Sequence, residues 1–104
     1  MDDKKYELRF LPLFEDDLNE IVDHISNKLK NPNAAKELVN EVESAILKRL
    51  SYPESFEPYR SAKKRKDIYY VIRVKNYMVF YVVIGNVMEV RRALYNKRDL
   101  PKMI

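Results

Sequence analysis

The stretch from Ile68 to Tyr95, IYYVIRVKNYMVFYVVIGNVMEVRRALY, decides the fold of this chain. β-Branched and aromatic residues dominate it, and it breaks at only two places, Lys75-Asn76 and Gly85-Asn86. Strand-forming runs separated by two turn residues are typical of antiparallel hairpins. The stretch therefore predicts three consecutive antiparallel strands, a β-meander, whose middle strand is apolar on both faces and lies in the centre of the sheet.

Two helices are predicted upstream of the meander. Apolar residues recur at three- and four-residue spacing from Leu13 to Lys30, and again from Asn33 to about Tyr52. The short Asn31-Pro32-Asn33 connection makes them an antiparallel hairpin, and Asn33 is a candidate cap of the second helix. Alternation over residues 6–11 predicts a first strand. We therefore expect one α+β domain over residues 1–104: an N-terminal strand, a helical hairpin packed on one face of a twisted, mainly antiparallel sheet, the meander and a short basic C-terminal tail.

Composition excludes several kinds of site. The chain has no cysteine and one glycine, which excludes thiolate metal sites, cysteine nucleophiles and glycine-rich phosphate loops. We expect no metal and no cofactor. The N-terminus has no apolar signal core, and charged residues interrupt the longest apolar stretch, so we expect a cytoplasmic protein without a membrane partner.

The basic residues are concentrated in the second half of the chain. Residues 1–52 hold 8 Lys/Arg against 11 Asp/Glu, a net charge of −3, whereas residues 53–104 hold 12 against 5, a net charge of +7. This polarity favours an acidic or polyanionic partner, with nucleic acid as the first candidate. Strand alternation also places Arg92 on an otherwise apolar face with Met88, Val90 and Leu94, which predicts a structural arginine paired with a carboxylate or a carbonyl.

Three segments carry a resemblance to a known family. They are Phe10-Leu11-Pro12 with Asp17-Leu18, Val74-Lys75-Asn76-Tyr77 with Phe80-Tyr81, and the run from Arg92 to Asp99, Arg-Ala-Leu-Tyr-Asn-Lys-Arg-Asp. In this order and spacing the chain resembles the RelE/ParE superfamily of bacterial toxins over nearly its whole length. The resemblance implies a growth-inhibiting toxin of a type II toxin–antitoxin module, which forms a hetero-oligomer with a cognate antitoxin.

The superfamily has two activities. RelE-like members enter the ribosomal A site and cleave mRNA without a metal, whereas ParE-like members inhibit DNA gyrase. The resemblance makes mRNA cleavage the first expectation, with the ribosome and mRNA as partners. Met78, however, stands where cleaving members usually carry an arginine, and the chain ends Pro-Lys-Met-Ile without the tyrosine that some of them use. A gyrase inhibitor and an inert, antitoxin-binding remnant therefore stay open as alternatives.

Metal-free RNA cleavage needs an acid, a base and cations for the phosphate charge, and arginine meets two phosphate oxygens at once. By family position the catalytic candidates are Arg98 and Tyr95, with Arg73 as a replacement for the charge missing at Met78. The candidates for contact with RNA or the ribosome are Lys63, Lys64, Arg65, Lys66, Arg91 and Lys97. Because the central strand is apolar on both faces, we expect an antitoxin segment to cover the second face over Val79, Tyr81 or Val83.

Overall fold

The computed structural model describes residues 5–60 and 66–96. The element order is β1 (Glu7–Phe10), α1 (Pro12–Asp23), a π-helical segment (His24–Lys28), α2 (Pro32–Leu50), β2 (Tyr70–Val74), β3 (Tyr77–Ile84) and β4 (Val87–Tyr95). The four strands form one sheet in the order β1-β4-β3-β2, in which β1 runs parallel to β4 and the other neighbours are antiparallel. The predicted α+β fold is confirmed, and β3 lies inside the sheet as expected.

Both hairpins turn where the sequence predicts. Residues 75–76 connect β2 to β3, and residues 85–86 connect β3 to β4. The first residue of each turn has a left-handed backbone, with φ of 53° at Lys75 and 61° at Gly85. Two-residue hairpins favour such conformations because they match the twist of the strands, and glycine adopts them without steric cost.

The first helix changes its geometry before it ends. α1 begins with Pro12 and passes directly into the π-helical segment, where the Leu29 N–H donates to the His24 carbonyl, five residues earlier, at 3.0 Å. Lys30, with φ of 52°, then ends the helix in a left-handed conformation. The cap of α2 is Asn31 and not Asn33, since the Asn31 side chain accepts from the Ala34 N–H at 3.1 Å. No helix in the described part of the chain is long and apolar enough to cross a membrane.

The main core lies between the helices and one face of the sheet. Its fully buried residues from α2 and the strands are Ala35, Leu38, Val42, Ile46, Tyr70, Ile72, Val74, Val79, Tyr81, Met88, Val90 and Ala93. The expectation that Val79, Tyr81 and Val83 lie on the second face, where an antitoxin segment would cover them, is corrected by their position on the helix side. Val79 and Tyr81 are 0% exposed and pair with Ile72 and Tyr70 on the helix side, where Val83 also packs. The alternation of β3 had been assigned to the wrong face.

The chain covers the second face of the sheet with its own residues. Met78, Phe80 and Leu94 are buried there, with Tyr59, Tyr69 and Val71 packed against them. The Tyr59 N–H donates to the Tyr69 carbonyl at 2.7 Å, and the Tyr59 ring meets Phe80 edge to face with centroids 5.1 Å apart. An aromatic contact of this kind contributes about 1 kcal/mol beyond the buried area. A partner is thus not needed to bury Phe80.

A β-bulge in β4 changes which residues face the helices. Phe80 pairs with Arg92, but the next residue, Tyr81, pairs with Val90, so Arg91 is an extra residue without a partner on β3. Met88 and Val90 before the bulge lie in the main core together with Ala93, while Leu94 lies on the second face. The predicted face of Met88, Val90, Arg92 and Leu94 is therefore divided at the bulge.

An aspartate of α1 holds the part of β4 that extends beyond β1. Strand β1 ends at Phe10, opposite Val90, and β4 continues to Tyr95. The Asp17 carboxylate accepts from Arg92 Nε at 2.7 Å, from Arg92 Nη2 at 3.0 Å and from the Ala93 N–H at 3.0 Å. It thereby takes the place of a neighbouring strand and joins α1 to the sheet with charge-assisted hydrogen bonds. The sequence predicted a carboxylate or carbonyl partner for Arg92, and the structure supplies Asp17.

A second ion cluster lies on β4 at Glu89. Its carboxylate is 6% exposed and accepts from Arg9 Nη1 of β1 at 3.0 Å and from Arg91 Nε at 2.9 Å. Burial alone would raise the pKa of Glu89, but the hydrogen bonds from Arg91 and Arg9 outweigh it and hold the pKa below its ordinary value. Arg91 also contacts Asp67 at 3.1 Å and donates to the Tyr69 hydroxyl at 3.0 Å. Through Glu89 and Arg91 the cluster links β1 to the segment that precedes β2.

We expect Asp17→Ala to lower the free energy of unfolding by about 2–3 kcal/mol, since it leaves Arg92 and the Ala93 N–H without their acceptor. Asp17→Asn should cost less because an amide oxygen still accepts from Ala93. Urea unfolding of both variants, of Arg92→Ala and of the double variant Asp17→Ala/Arg92→Ala measures this, with the exposed Asp16→Ala as control. Additive losses in the double variant would contradict the pairing.

The lowered pKa of Glu89 gives the stability a defined pH dependence. A carboxylate whose pKa is lower in the folded state stabilises the fold above its unfolded pKa and loses that contribution as pH falls through the folded pKa. We expect Glu89→Gln to be less stable than the parent by about 2 kcal/mol at pH 7. The difference should narrow as pH falls below the ordinary carboxyl pKa of 4.5. Urea unfolding between pH 7 and pH 3, beside the exposed Glu43→Gln, measures it; a gap independent of pH would show that the charge of Glu89 is irrelevant.

Candidate functional site

A cleft of about 560 Å³ opens between α1 and the last third of β4. We call it the α1–β4 cleft. Asp17, Glu20 and His24 lie three and four residues apart on α1 and its π-helical extension, so they share the helix face that borders the cleft. The residues that line the cleft are Asp17, Glu20, Ile21, His24, Tyr77, Arg92, Ala93, Leu94 and Tyr95. It exists because Asp17 holds α1 beside β4 where β1 has ended.

Two tyrosines form the aromatic wall of the α1–β4 cleft. Tyr77 of β3 and Tyr95 of β4 are register partners, and their rings meet edge to face with centroids 5.5 Å apart. Burial raises the pKa of Tyr77, and the neighbouring Tyr95 raises it further. Tyr77 therefore remains protonated at neutral pH and is a poor base. Tyr95 is 46% exposed, so its ring is accessible from the solvent.

The cleft carries a net negative charge among its permanently charged groups. Asp17 and Arg92 neutralise each other, and the Asp17 hydrogen bonds, with its charge and that of Glu20, raise the pKa of Arg92. Glu20 is exposed and forms no ion pair with any residue that the structure describes. Asp17, Glu20 and Arg92 together therefore give the lining of the cleft one net negative charge, whereas the whole chain has a net charge of +4.

The sheet separates two of the predicted catalytic residues. Arg73 pairs with Met78, and Met78 pairs with Leu94, so these three share the second face. Tyr95 is the next residue after Leu94, and its ring contacts Tyr77 on the helix side. Arg73 is exposed, and its position across from Met78 suits a replacement for a charge missing there. Arg73 is not among the residues that line the α1–β4 cleft, whereas Tyr95 is.

The structure describes only two of the predicted RNA-binding residues, Arg91 and Lys66, and their surroundings differ. Arg91 lies within the Glu89 cluster, and hydrogen bonds to Tyr69 and Glu89 overcome the effect of burial and raise its pKa. Its charge is balanced by Glu89 and Asp67, and its contact with RNA stays a prediction. Lys66 is exposed. Lys63, Lys64, Arg65, Lys97 and Arg98 lie outside the described residues.

Sequence reasoning did not find the α1–β4 cleft. In the sequence, Asp17 figures only in the family resemblance, and no role is predicted for Glu20. A signal existed, because Asp17, Glu20 and His24 have helical spacing next to the apolar stripe. Which β4 side chains lie on which face depends on the β4 bulge, which the sequence does not mark. Within the described ranges, 5–60 and 66–96, no group of three or more His, Cys, Asp or Glu side chains suits a metal ion.

Solved structures share this fold. A chain of the chromosomal ParDE system from P. aeruginosa superposes with a TM-score of 0.70 at 17% identity, covering 90% of this chain and 99% of that one. The RelB-RelE antitoxin-toxin complex from Methanococcus jannaschii gives a TM-score of 0.50 at 22% identity, with 92% and 99% covered. YafQ from E. coli gives 0.51 at 12% identity, with 88% and 93% covered. At such identities these similarities establish the fold alone.

A family model gives a closer assignment than the fold. A search of curated protein sequences finds no match. The model of the ParE toxin of the type II toxin-antitoxin system parDE, in contrast, matches residues 8–100, which include β1 from its second residue, both helices and the whole meander. The chain therefore belongs to the ParE toxin family of type II toxin–antitoxin systems.

Proposed function

We propose that this protein arrests growth by inhibiting DNA gyrase, in the manner of ParE-like toxins, and that a cognate antitoxin neutralises it. The observation that carries the proposal is the separation of Arg73 from Tyr95. Arg73 shares the second face with Met78 and Leu94, whereas Tyr95 contacts Tyr77 on the helix side. A nuclease needs its acid, base and phosphate-binding cations around one scissile bond. These two residues do not meet that requirement together.

The state of the other candidate groups also favours inhibition by binding. Met78 is a buried core residue and brings no charge to the position where cleaving relatives usually carry an arginine. Arg91 and Arg92 are balanced by carboxylates of the same chain. Burial raises the pKa of Tyr77, so its hydroxyl stays protonated at neutral pH and is not ionised to act as a base. Inhibition of an enzyme by binding requires none of these groups to react.

Ribosome-dependent mRNA cleavage is the second candidate. Arg73 and Lys66 are exposed, and neither forms an ion pair with a residue in the described part of the chain. Both charges are thus accessible to a phosphate backbone. The net charge of +7 over residues 53–104 also favours association with a polyanion. Electrostatic attraction of this kind brings RNA to the surface but does not by itself supply an acid or a base.

An antitoxin partner is supported by the family and by its relatives. The matched family is one of toxin–antitoxin systems, and the Methanococcus jannaschii relative was solved as an antitoxin–toxin complex. Large apolar side chains are also exposed on this chain, among them Phe10, Leu13, Leu47 and Tyr52. Burial of such side chains by a partner contributes about 25 cal/mol for each Å² of apolar surface.

The two candidate functions predict opposite results after brief induction of the toxin without antitoxin. For a gyrase inhibitor we expect no new 5′ ends when RNA is mapped by primer extension, and blocked supercoiling when the purified protein is added to gyrase. Tyr95→Phe should leave growth inhibition within about threefold of the parent. If Tyr95 transferred a proton during RNA cleavage, loss of its hydroxyl would lower the cleavage rate about 10²–10⁴-fold. If Tyr95 only binds a partner through its ring, the hydroxyl is not needed.

Arg73→Ala serves as the matched variant on the second face. New 5′ ends in translated mRNA, together with a loss of about 100-fold or more for Tyr95→Phe or Arg73→Ala, would overturn the proposal in favour of cleavage. Normal growth of cells that produce the folded parent protein would instead identify an inert remnant. A fold comparison of each variant by circular dichroism separates loss of activity from loss of structure.

A further inference from the structure

We propose that the α1–β4 cleft is a receptor for one basic side chain, lysine or arginine, carried by a segment of the antitoxin. The charged head lies against Glu20, and the aliphatic stem lies along Ile21 and Tyr77. This inference rests on the proposed antitoxin partner and adds to it the chemistry of one contact. It does not depend on whether the toxin acts on gyrase or on mRNA.

The lining of the cleft matches the two parts of a basic side chain. Glu20 offers an exposed carboxylate that forms no direct ion pair with a described residue, while Ile21, Leu94 and the ring of Tyr77 offer apolar surface. Lysine and arginine bury their methylene stems on such surface and keep the charged head at a polar group. Aromatic rings add to the attraction of a cation within about 6 Å of their centroids. The Tyr77–Tyr95 pair supplies two rings at the same cleft.

Asp17 and Arg92 shape the cleft, but Glu20 decides whether it binds a basic or an acidic side chain. They pair with each other through two hydrogen bonds, at 2.7 and 3.0 Å, and each largely neutralises the charge that the other would present to a ligand. An acidic side chain that entered the cleft would meet Glu20 and find no uncompensated cation among the described lining residues. A basic side chain would meet a lining in which Asp17, Glu20 and Arg92 together carry one net negative charge, with Glu20 exposed. The charge balance therefore selects a cation.

The size of the cleft favours a flexible segment over a folded surface. A volume of about 560 Å³ is typical of sites that enclose a small ligand or a few side chains. Segments that fold on binding insert side chains into such sites, whereas two folded surfaces meet over a wider and flatter area. An antitoxin segment that covers the basic half of the toxin needs acidic residues there. A single basic residue at the cleft then fixes its register by opposite charge.

The test measures the dissociation constant of purified antitoxin and purified toxin variants by biolayer interferometry. We expect Glu20→Gln to weaken binding about tenfold and Glu20→Lys about 100-fold or more, because the second change places like charges together. Glu43→Gln removes the same carboxylate from an exposed position on α2 outside the cleft and should stay within about twofold. Urea unfolding confirms that the variants are folded, since Glu20 is exposed and contributes little to stability.

Alanine substitution of each lysine and arginine of the antitoxin identifies the inserted side chain. One of these variants should lose about as much affinity as Glu20→Gln, and the two losses should not add when combined. If the parent toxin binds antitoxin but Glu20→Gln stays within twofold, this inference is wrong and the proposed partnership stands. If the parent binds no antitoxin, the proposed partnership itself fails. Unchanged antitoxin affinity with weaker growth inhibition in Glu20→Gln would assign the cleft to the target and also overturn the inference.

Discussion

The three hydrogen bonds accepted by Asp17 are the constraint on which the functional end of this molecule depends. Its carboxylate accepts from two nitrogens of Arg92 and from the Ala93 N–H at the point where β1 has ended. A free strand edge is a liability, because its backbone donors and acceptors can pair with another chain. Here the Asp17 side chain of α1 accepts from one of these backbone donors, the Ala93 N–H, and also pairs with the charge of Arg92. Helix α1 is thereby fixed against β4, and a cleft forms beside the attachment.

The β-bulge at Arg91 and the Asp17 attachment act on the same short piece of β4. The extra residue shifts the alternation, so that Ala93 joins the main core and Leu94 moves to the second face. Tyr95 consequently lies on the helix side beside Tyr77, away from Arg73. One inserted residue therefore decides which side chains share a surface at the end of the sheet. Which side chains can form one site at the end of the sheet therefore depends more on this position than on the composition of the strand.

Sequence reasoning was sufficient for the fold because local signals decide it. The turn at Gly85, the apolar stripes of the helices and the apolar runs of the strands specify elements that have essentially one way to pack. The site depends on non-local facts. The face of Val79 was misassigned because an apolar strand in the middle of a sheet has no polar alternation to mark its two sides. The sequence does not predict the division of β4, because the extra residue of the bulge, Arg91, stands next to a second arginine and nothing distinguishes the two. The role of Asp17 becomes visible only in the folded structure, where α1 lies next to β4.

The distribution of charge takes on a different meaning once the ion pairs are known. From the sequence, twelve basic residues in the second half suggest a broad surface for a polyanion. In the structure, Arg91 and Arg92 are balanced from within the chain, and Lys75 lies 3.7 Å from Glu41 of α2. The remaining surplus still attracts acidic partners over about 8–10 Å at physiological salt. Such attraction governs encounter more than recognition, because it does not require any one geometry. Recognition needs a concave place where the charge is reversed, and among the described residues the α1–β4 cleft has both properties.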